Sequence, residues 1–85
     1  MLVVRTERFK RDFKRLPPEV QRRTEGALER FIVNRRHPSL QVKKMEGALA
    51  IWEMRVTDNY RVTFQVFQDG VQLRRIGTHD VLRQS

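Results

Sequence analysis

From Trp52 to Val66 the chain keeps a strict period of two, and this constrains its fold more than any other feature. Trp52, Met54 and Val56 alternate with Glu53 and Arg55. Beyond Thr57-Asp58-Asn59, the residues Tyr60, Val62, Phe64 and Val66 alternate with Arg61, Thr63 and Gln65. Two such runs in succession predict half-buried antiparallel strands with one wet face. A three-residue turn centred on Asp58 sets Arg55 opposite Arg61 and Glu53 opposite Thr63. Asp69-Gly70 is a hairpin signal, and a last strand is predicted from Val71 through Ile76 to Gly77, with a short tail from Thr78 to Ser85.

The first part of the chain obeys a different period. Met1-Leu2-Val3-Val4-Arg5 reads as a strand, and Thr6-Glu7 as a helix start, with a hydroxyl cap and an acid at the positive end of the helix dipole. Phe9, Phe13 and Leu16 follow at helical spacing. Pro17-Pro18 closes that helix and opens the next. Val20, Ala27, Leu28, Phe31 and Ile32 line the second helix to about Asn34, and His37 through Gly47 reads as a connecting loop. The order is β-α-α-β-β-β, an α+β fold with an α-hairpin on one face of a small, mainly antiparallel sheet. At 85 residues this is a single domain, because each half alone is too small to bury a core.

Composition narrows the function. Eighteen basic residues against ten acidic ones leave a net charge of +8, which predicts a polyanionic partner, nucleic acid being the commonest. Fourteen of the cations are Arg, whose planar fork clamps phosphate. Biased composition offers another account of the Arg excess but not of the net charge. There is no cysteine, hence no thiolate zinc site, and the chain suits a reducing cytosol. No apolar run reaches the length of a membrane helix or signal peptide. We expect a cytoplasmic protein with no membrane association, no metal and no cofactor.

The wet face of the sheet is where chemistry is expected. Like charges directly opposite each other destabilise a sheet by roughly 0.2–1 kcal/mol, so Arg55 facing Arg61 suggests a bound anion. The bland alternative is a surface ion pair with Glu53 reaching across. His79 follows the last strand in Gly77-Thr78-His79-Asp80, a candidate general acid or base. Val71 and Leu73 share one parity and Ile76 the other, so a bulge at Arg74-Arg75 is predicted. It returns Ile76 to the core and turns His79 towards Arg61. His37, before a proline in a loop, reads as an ordinary surface residue.

The run Lys43-Lys44-Met45-Glu46-Gly47, then Trp52-Glu53-Met54-Arg55-Val56, Asn59-Tyr60-Arg61-Val62-Thr63-Phe64 and Ile76-Gly77-Thr78-His79-Asp80 resembles the RelE/ParE toxin superfamily. The order matches along almost the whole chain, and the terminal Ile-Gly-Thr-His element is similar to the YafQ-type branch. The resemblance implies a ribosome-dependent, metal-independent mRNA endonuclease, the toxin of a type II toxin–antitoxin pair. The ribose 2′-OH attacks the adjacent phosphate, leaving 2′,3′-cyclic phosphate and 5′-hydroxyl ends. It further implies that Arg61 and His79 are catalytic, that Arg55 and Glu53 stand where some members have histidine and aspartate, and that Lys43, Lys44, Arg74 and Arg83 contact RNA. His79 and Glu53 are both candidates for the base. The implied partners are an acidic antitoxin, the 30S A site and mRNA, with the toxin a monomer alone and a hetero-oligomer with its antitoxin. Arg83 and Ser85 lie where several members carry a functional tyrosine. A ParE-like gyrase inhibitor without catalysis is the alternative on the same fold. A plain RNA-binding module normally shows aromatic residues on the wet face, and Phe67 is the one candidate here.

Overall fold

The computed structural model describes residues 1–47 and 50–82. Two helices and a five-stranded sheet follow in the order β1 (Leu2–Arg5), α1 (Glu7–Lys14), α2 (Pro18–Val33), a 3-10 helix (Pro38–Leu40), β2 (Lys43–Lys44), β3 (Trp52–Arg55), β4 (Tyr60–Phe67) and β5 (Gly70–Thr78), with a short helix α3 (His79–Leu82) at the end. The sheet order is β1-β5-β4-β3-β2. β1 runs parallel to β5 and every other pairing is antiparallel. The predicted α+β architecture therefore holds, with two refinements. The segment read as a loop over 37–47 contains the 3-10 helix and strand β2. The segment read as a tail contributes the end of β5 and α3.

Local chemistry explains the helix boundaries. The Thr6 hydroxyl accepts the Phe9 N–H at 3.0 Å and caps α1, with Glu7 in the first turn. Pro17 and Pro18 separate the helices, and Asn34 ends α2 in an extended conformation. On α2, Thr24, Ala27, Leu28 and Phe31 face inward, while Ile32, expected in the core, is exposed. His37 does not behave as a plain surface residue: its ring is half-buried, and Nδ1 accepts the Ser39 N–H at 3.2 Å, capping the 3-10 turn.

The core lies between the α-hairpin and one face of the sheet. Phe9, Leu28, Phe31, Met54, Val62, Phe64, Val71, Leu73 and Ile76 form it, with Trp52 and Tyr60 packed at its margin. Phe31 meets Phe64 edge to face, with ring centroids 5.0 Å apart, a geometry the aromatic quadrupole favours. Arg5 lies over the Phe9 and Phe13 rings at 5.6 and 5.7 Å and pairs with Glu25 at 2.7 Å, so its charge joins β1 to both helices. Val66, assigned to the core by parity, is 44% exposed because it lies beyond the cover of the helices.

Pairing follows the predicted register: Arg55 opposes Arg61 and Glu53 opposes Thr63. Between β4 and β5 the register shifts, with Thr63 opposite Arg75 but Phe64 opposite Leu73. Arg74 is the extra residue, and Ile76 returns to the core at 1% exposure. At the other end of β5, Gly70 lies against β1 so closely that a Cβ there would sit 1.8 Å from the Leu2 carbonyl oxygen. Gly70→Ala is therefore expected to loosen the parallel β1–β5 pairing and lower stability by roughly 1–3 kcal/mol. Val62→Ala, which leaves a cavity in the core, should also cost roughly 1–3 kcal/mol. Urea denaturation of the two variants checks both values.

Candidate functional site

The outward face of the sheet gathers the residues singled out from the sequence. Lys43 pairs with Glu53 across β2 and β3, Glu53 with Thr63 across β3 and β4, and Thr63 with Arg75 across β4 and β5. The next outward row runs Arg55, Arg61, Gly77. Beyond it the β3–β4 turn meets the β5–α3 junction. There, Asp58, Asn59, Tyr60, Arg61, Thr78, His79 and Asp80 line an open cleft of about 480 Å³. Arg61 and His79, eighteen residues apart in sequence, thus share one cleft, with the His79 ring exposed to solvent.

The two arginines are held differently from the anion-binding arrangement expected. Asp58 in the turn pairs with Arg55, so a carboxylate does stand beside the pair. Arg61 Nη1 donates to the turn carbonyls of Thr57, Tyr60 and Asp58, the last two at 3.1 and 3.3 Å. Each guanidinium is therefore turned into the 56–60 turn, which relieves the repulsion inferred from their register. The Thr57 hydroxyl accepts the N–H groups of Asn59 and Tyr60 at 3.2 Å and fixes that turn. Asp58 is exposed, and a pair of this kind contributes at most about 1 kcal/mol. An incoming phosphate has little to overcome in displacing it.

Glu53 is not on an open wet face. It is 7% exposed, its Oε1 lies 3.5 Å from Lys43 Nζ, and neither Arg55 nor Arg61 is its ion-pair partner. Lys43 and Lys44 are themselves exposed at the sheet edge. Thr63, on the same outward face, is fully buried. Nearby, α3 folds back against β5 and β4, and Leu82 is buried apart from the main core cluster. Among the described residues, two polar atoms on this face are buried without a hydrogen-bond partner, Thr63 Oγ1 and Arg74 Nε. Arg74 Nη1 donates to Gln65 Oε1 at 2.9 Å, which places this residue beside the cleft-facing rows. Arg83 lies outside the described residues. Phe67 is exposed at the far end of the same face, 40% accessible.

Asp12 on α1 takes Arg75 in a fork, with Oδ2 3.0 Å from Nε and Oδ1 3.1 Å from Nη2, and both side chains are nearly buried. The Asp12 hydrogen bond holds the Arg75 guanidinium pKa above its ordinary value, against burial, which lowers it, and with the Asp12 charge acting in the same raising sense. Sequence reading passed over Asp12 among the cations of α1. Its spacing was the available signal, since it stands three residues after Phe9 and four before Leu16, on the margin of the buried stripe. An apolar pocket of about 420 Å³ lies elsewhere, between Trp52, Phe64, Val66, Arg35 and Arg36; its single titratable ring, His37, is engaged by Ser39. Among the described residues no cluster of His, Cys, Asp and Glu suits a metal ion, and no helix is long and apolar enough to cross a membrane.

This architecture is shared with solved structures of YoeB/ParE, RelE and YafQ toxins. A YoeB/ParE toxin from Agrobacterium tumefaciens superposes with a TM-score of 0.77 at 16% identity, covering 93% of this chain and 99% of that one. A chain of the RelB–RelE antitoxin–toxin complex from Methanococcus jannaschii gives 0.72 at 22% identity over 95% of both chains. A chain of the DinJ–YafQ complex from E. coli gives 0.74 at 15% identity, covering 95% and 96%. No family model and no curated sequence matches the chain, so the likeness is one of fold.

The unpartnered hydroxyl supplies a stability test. Replacing Thr63 by the near-isosteric valine removes a buried polar group that makes no bond. We expect Thr63→Val to raise the unfolding free energy by about 1–2 kcal/mol in urea denaturation. A loss of stability would mean that the hydroxyl has a partner.

Proposed function

We propose that the chain is the toxin of a type II toxin–antitoxin pair and that it cleaves mRNA on the ribosome. The observation that carries this reading is the cleft itself, which sets an imidazole and a guanidinium together at the end of a strongly basic sheet face. The fold, shared with RelE, YafQ and YoeB toxins, supports the same reading.

The chemistry follows from what cleavage by an internal 2′-OH requires. A base removes the 2′-OH proton, the oxygen bonds to phosphorus, and the bond to the 5′-oxygen breaks as that oxygen takes a proton. The products are a 2′,3′-cyclic phosphate and a 5′-hydroxyl. His79, solvent-exposed and on the cleft wall, exchanges a proton with the attacking or leaving oxygen. Arg61, and Arg55 once released from Asp58, neutralise charge developing on the phosphorane. Glu53 serves poorly as the base where it stands, buried and tied to Lys43, which leaves His79 in the leading role. Lys43, Lys44 and Arg74 extend the cationic track along which RNA would lie, and Arg83 is assigned to it by position in the sequence.

The partner in the uninhibited cell would be an acidic antitoxin. Solved structures of this fold include RelB–RelE and DinJ–YafQ complexes. Arg8, Lys10, Arg11, Lys14 and Arg15 form an exposed basic face on α1 that such a segment complements, and covering the cleft would block the reaction.

Single-turnover cleavage of message on translating ribosomes tests the assignment. His79→Gln keeps a hydrogen bond but cannot transfer a proton, and the rate should fall by roughly 10²–10⁴-fold while ribosome binding survives. Arg61→Ala should lower it by roughly 10²–10³-fold with little change in stability. A wild-type protein that leaves message intact but blocks DNA supercoiling by gyrase would replace the nuclease reading with the gyrase-inhibitor one.

A further inference from the structure

β1 stops at Arg5, opposite Leu73, yet β5 continues to Thr78. The outer edge of β5 past Leu73 therefore has no strand beside it, and this is the stretch that carries the bulge. α1 supplies the missing partners. The Thr6 N–H donates to the Leu73 carbonyl at 3.1 Å, and the Thr6 hydroxyl donates to the carbonyl of the bulged Arg74 at 3.0 Å. Asp12 then accepts the Ile76 N–H on Oδ2 at 3.3 Å while its carboxylate grips the Arg75 guanidinium from two sides. Every backbone contact that α1 makes with this stretch falls on the bulge or on the residues flanking it.

The consequence reaches the cleft because strand parity is all-or-none. With Arg74 as the extra residue, Ile76 points into the core and Gly77 stands in the Arg61 row. A slip of one residue would reverse every side chain beyond it. His79 follows three residues after Ile76, so its side of the sheet depends on the bulge staying where it is. A bulge weakens pairing locally; burial of Ile76 and the Arg74–Gln65 hydrogen bond favour its place, and the partners from Thr6 and Asp12 add the hold that the ladder lacks there.

We infer that Asp12 is a positioning residue for the cleft: through Arg75 and the Ile76 N–H it locks the β5 bulge, and the locked bulge holds His79 beside Arg61. Asp12 touches no cleft-lining residue and has no part in proton transfer. The inference rests on the function proposed above only for its kinetic readout.

The test is a double-mutant cycle with Asp12→Asn and His79→Gln, read in single-turnover cleavage on ribosomes with toxin binding measured separately. Asp12→Asn keeps the side-chain shape and one acceptor but loses the charge-assisted fork. On the wild-type background it should slow cleavage about 10²-fold or somewhat less with unchanged binding, the size of effect expected from a misplaced catalytic group. On the His79→Gln background it should cost less than about threefold, because the group it positions is already absent. Equal losses on the two backgrounds, or no loss on either, overturn the inference. Arg75→Lys, which keeps the charge but not the fork, replaces Asp12→Asn in the cycle if that variant does not fold.

An NMR arm is independent of RNA. In Asp12→Asn the Ile76 amide should lose hydrogen-exchange protection, and the His79 ring resonances should shift, relative to wild type. Unchanged Ile76 protection and unchanged His79 resonances overturn the inference. If the wild-type protein cleaves no message, the proposed function fails and the clamp is judged on this arm alone.

Discussion

The extra residue on β5 is the constraint on which the outward face depends. An antiparallel ladder without it would bury Arg75 and expose Ile76, because side chains alternate with a period of two. Placing Arg74 out of register reverses that assignment within one step. The cost is a set of backbone groups that the ladder no longer satisfies, and unsatisfied buried groups cost about 1–3 kcal/mol each. Thr6 and Asp12 of α1 satisfy them. A helix normally joins a sheet by apolar packing alone; here it also completes the hydrogen bonding of an edge that β1 is too short to cover.

Both faces of this thin sheet are consequently occupied, for different reasons. One face packs the α-hairpin around Phe9, Phe31 and Phe64. The other is polar in sequence, yet Glu53 and Thr63 are buried on it, and α3 turns back against β4 and β5. Burial of an unpaired hydroxyl and of Arg74 Nε is not what stability alone would select.

Charge is distributed to match. The cations on α1 and along the β2 edge are exposed and mostly remote from acids, so they project a positive field that draws a polyanion. Near the cleft the charges are instead lightly tethered: Arg55 to Asp58, Arg61 to carbonyl oxygens of its own turn. Carbonyls and an exposed carboxylate hold a guanidinium in place without neutralising it deeply. The Asp12–Arg75 pair is the contrast. Nearly buried and forked, it is costly to break, and it serves the backbone rather than the ligand.

Local pattern in the sequence was enough to establish both helices, the β3–β4 register, the hairpin at Gly70 and the bulge at Arg74-Arg75. Each is a statement about periodicity or turn chemistry among near neighbours, and such rules act over a few residues. What the sequence left open depends on residues far apart. Alternation places Glu53 and Thr63 outward but does not say that both are buried there. It puts Arg55 against Arg61 but does not show that Asp58 and the turn carbonyls reach them first. It marks Asp12 as flanking an apolar stripe but cannot supply Arg75, 63 residues away. Nor does it say that β1 pairs in parallel with β5, or that it ends just where the bulge begins. Sequence thus determined which face each side chain takes, because parity is local; the tertiary structure decided which of those side chains are free to act, because that depends on what the rest of the chain packs against them.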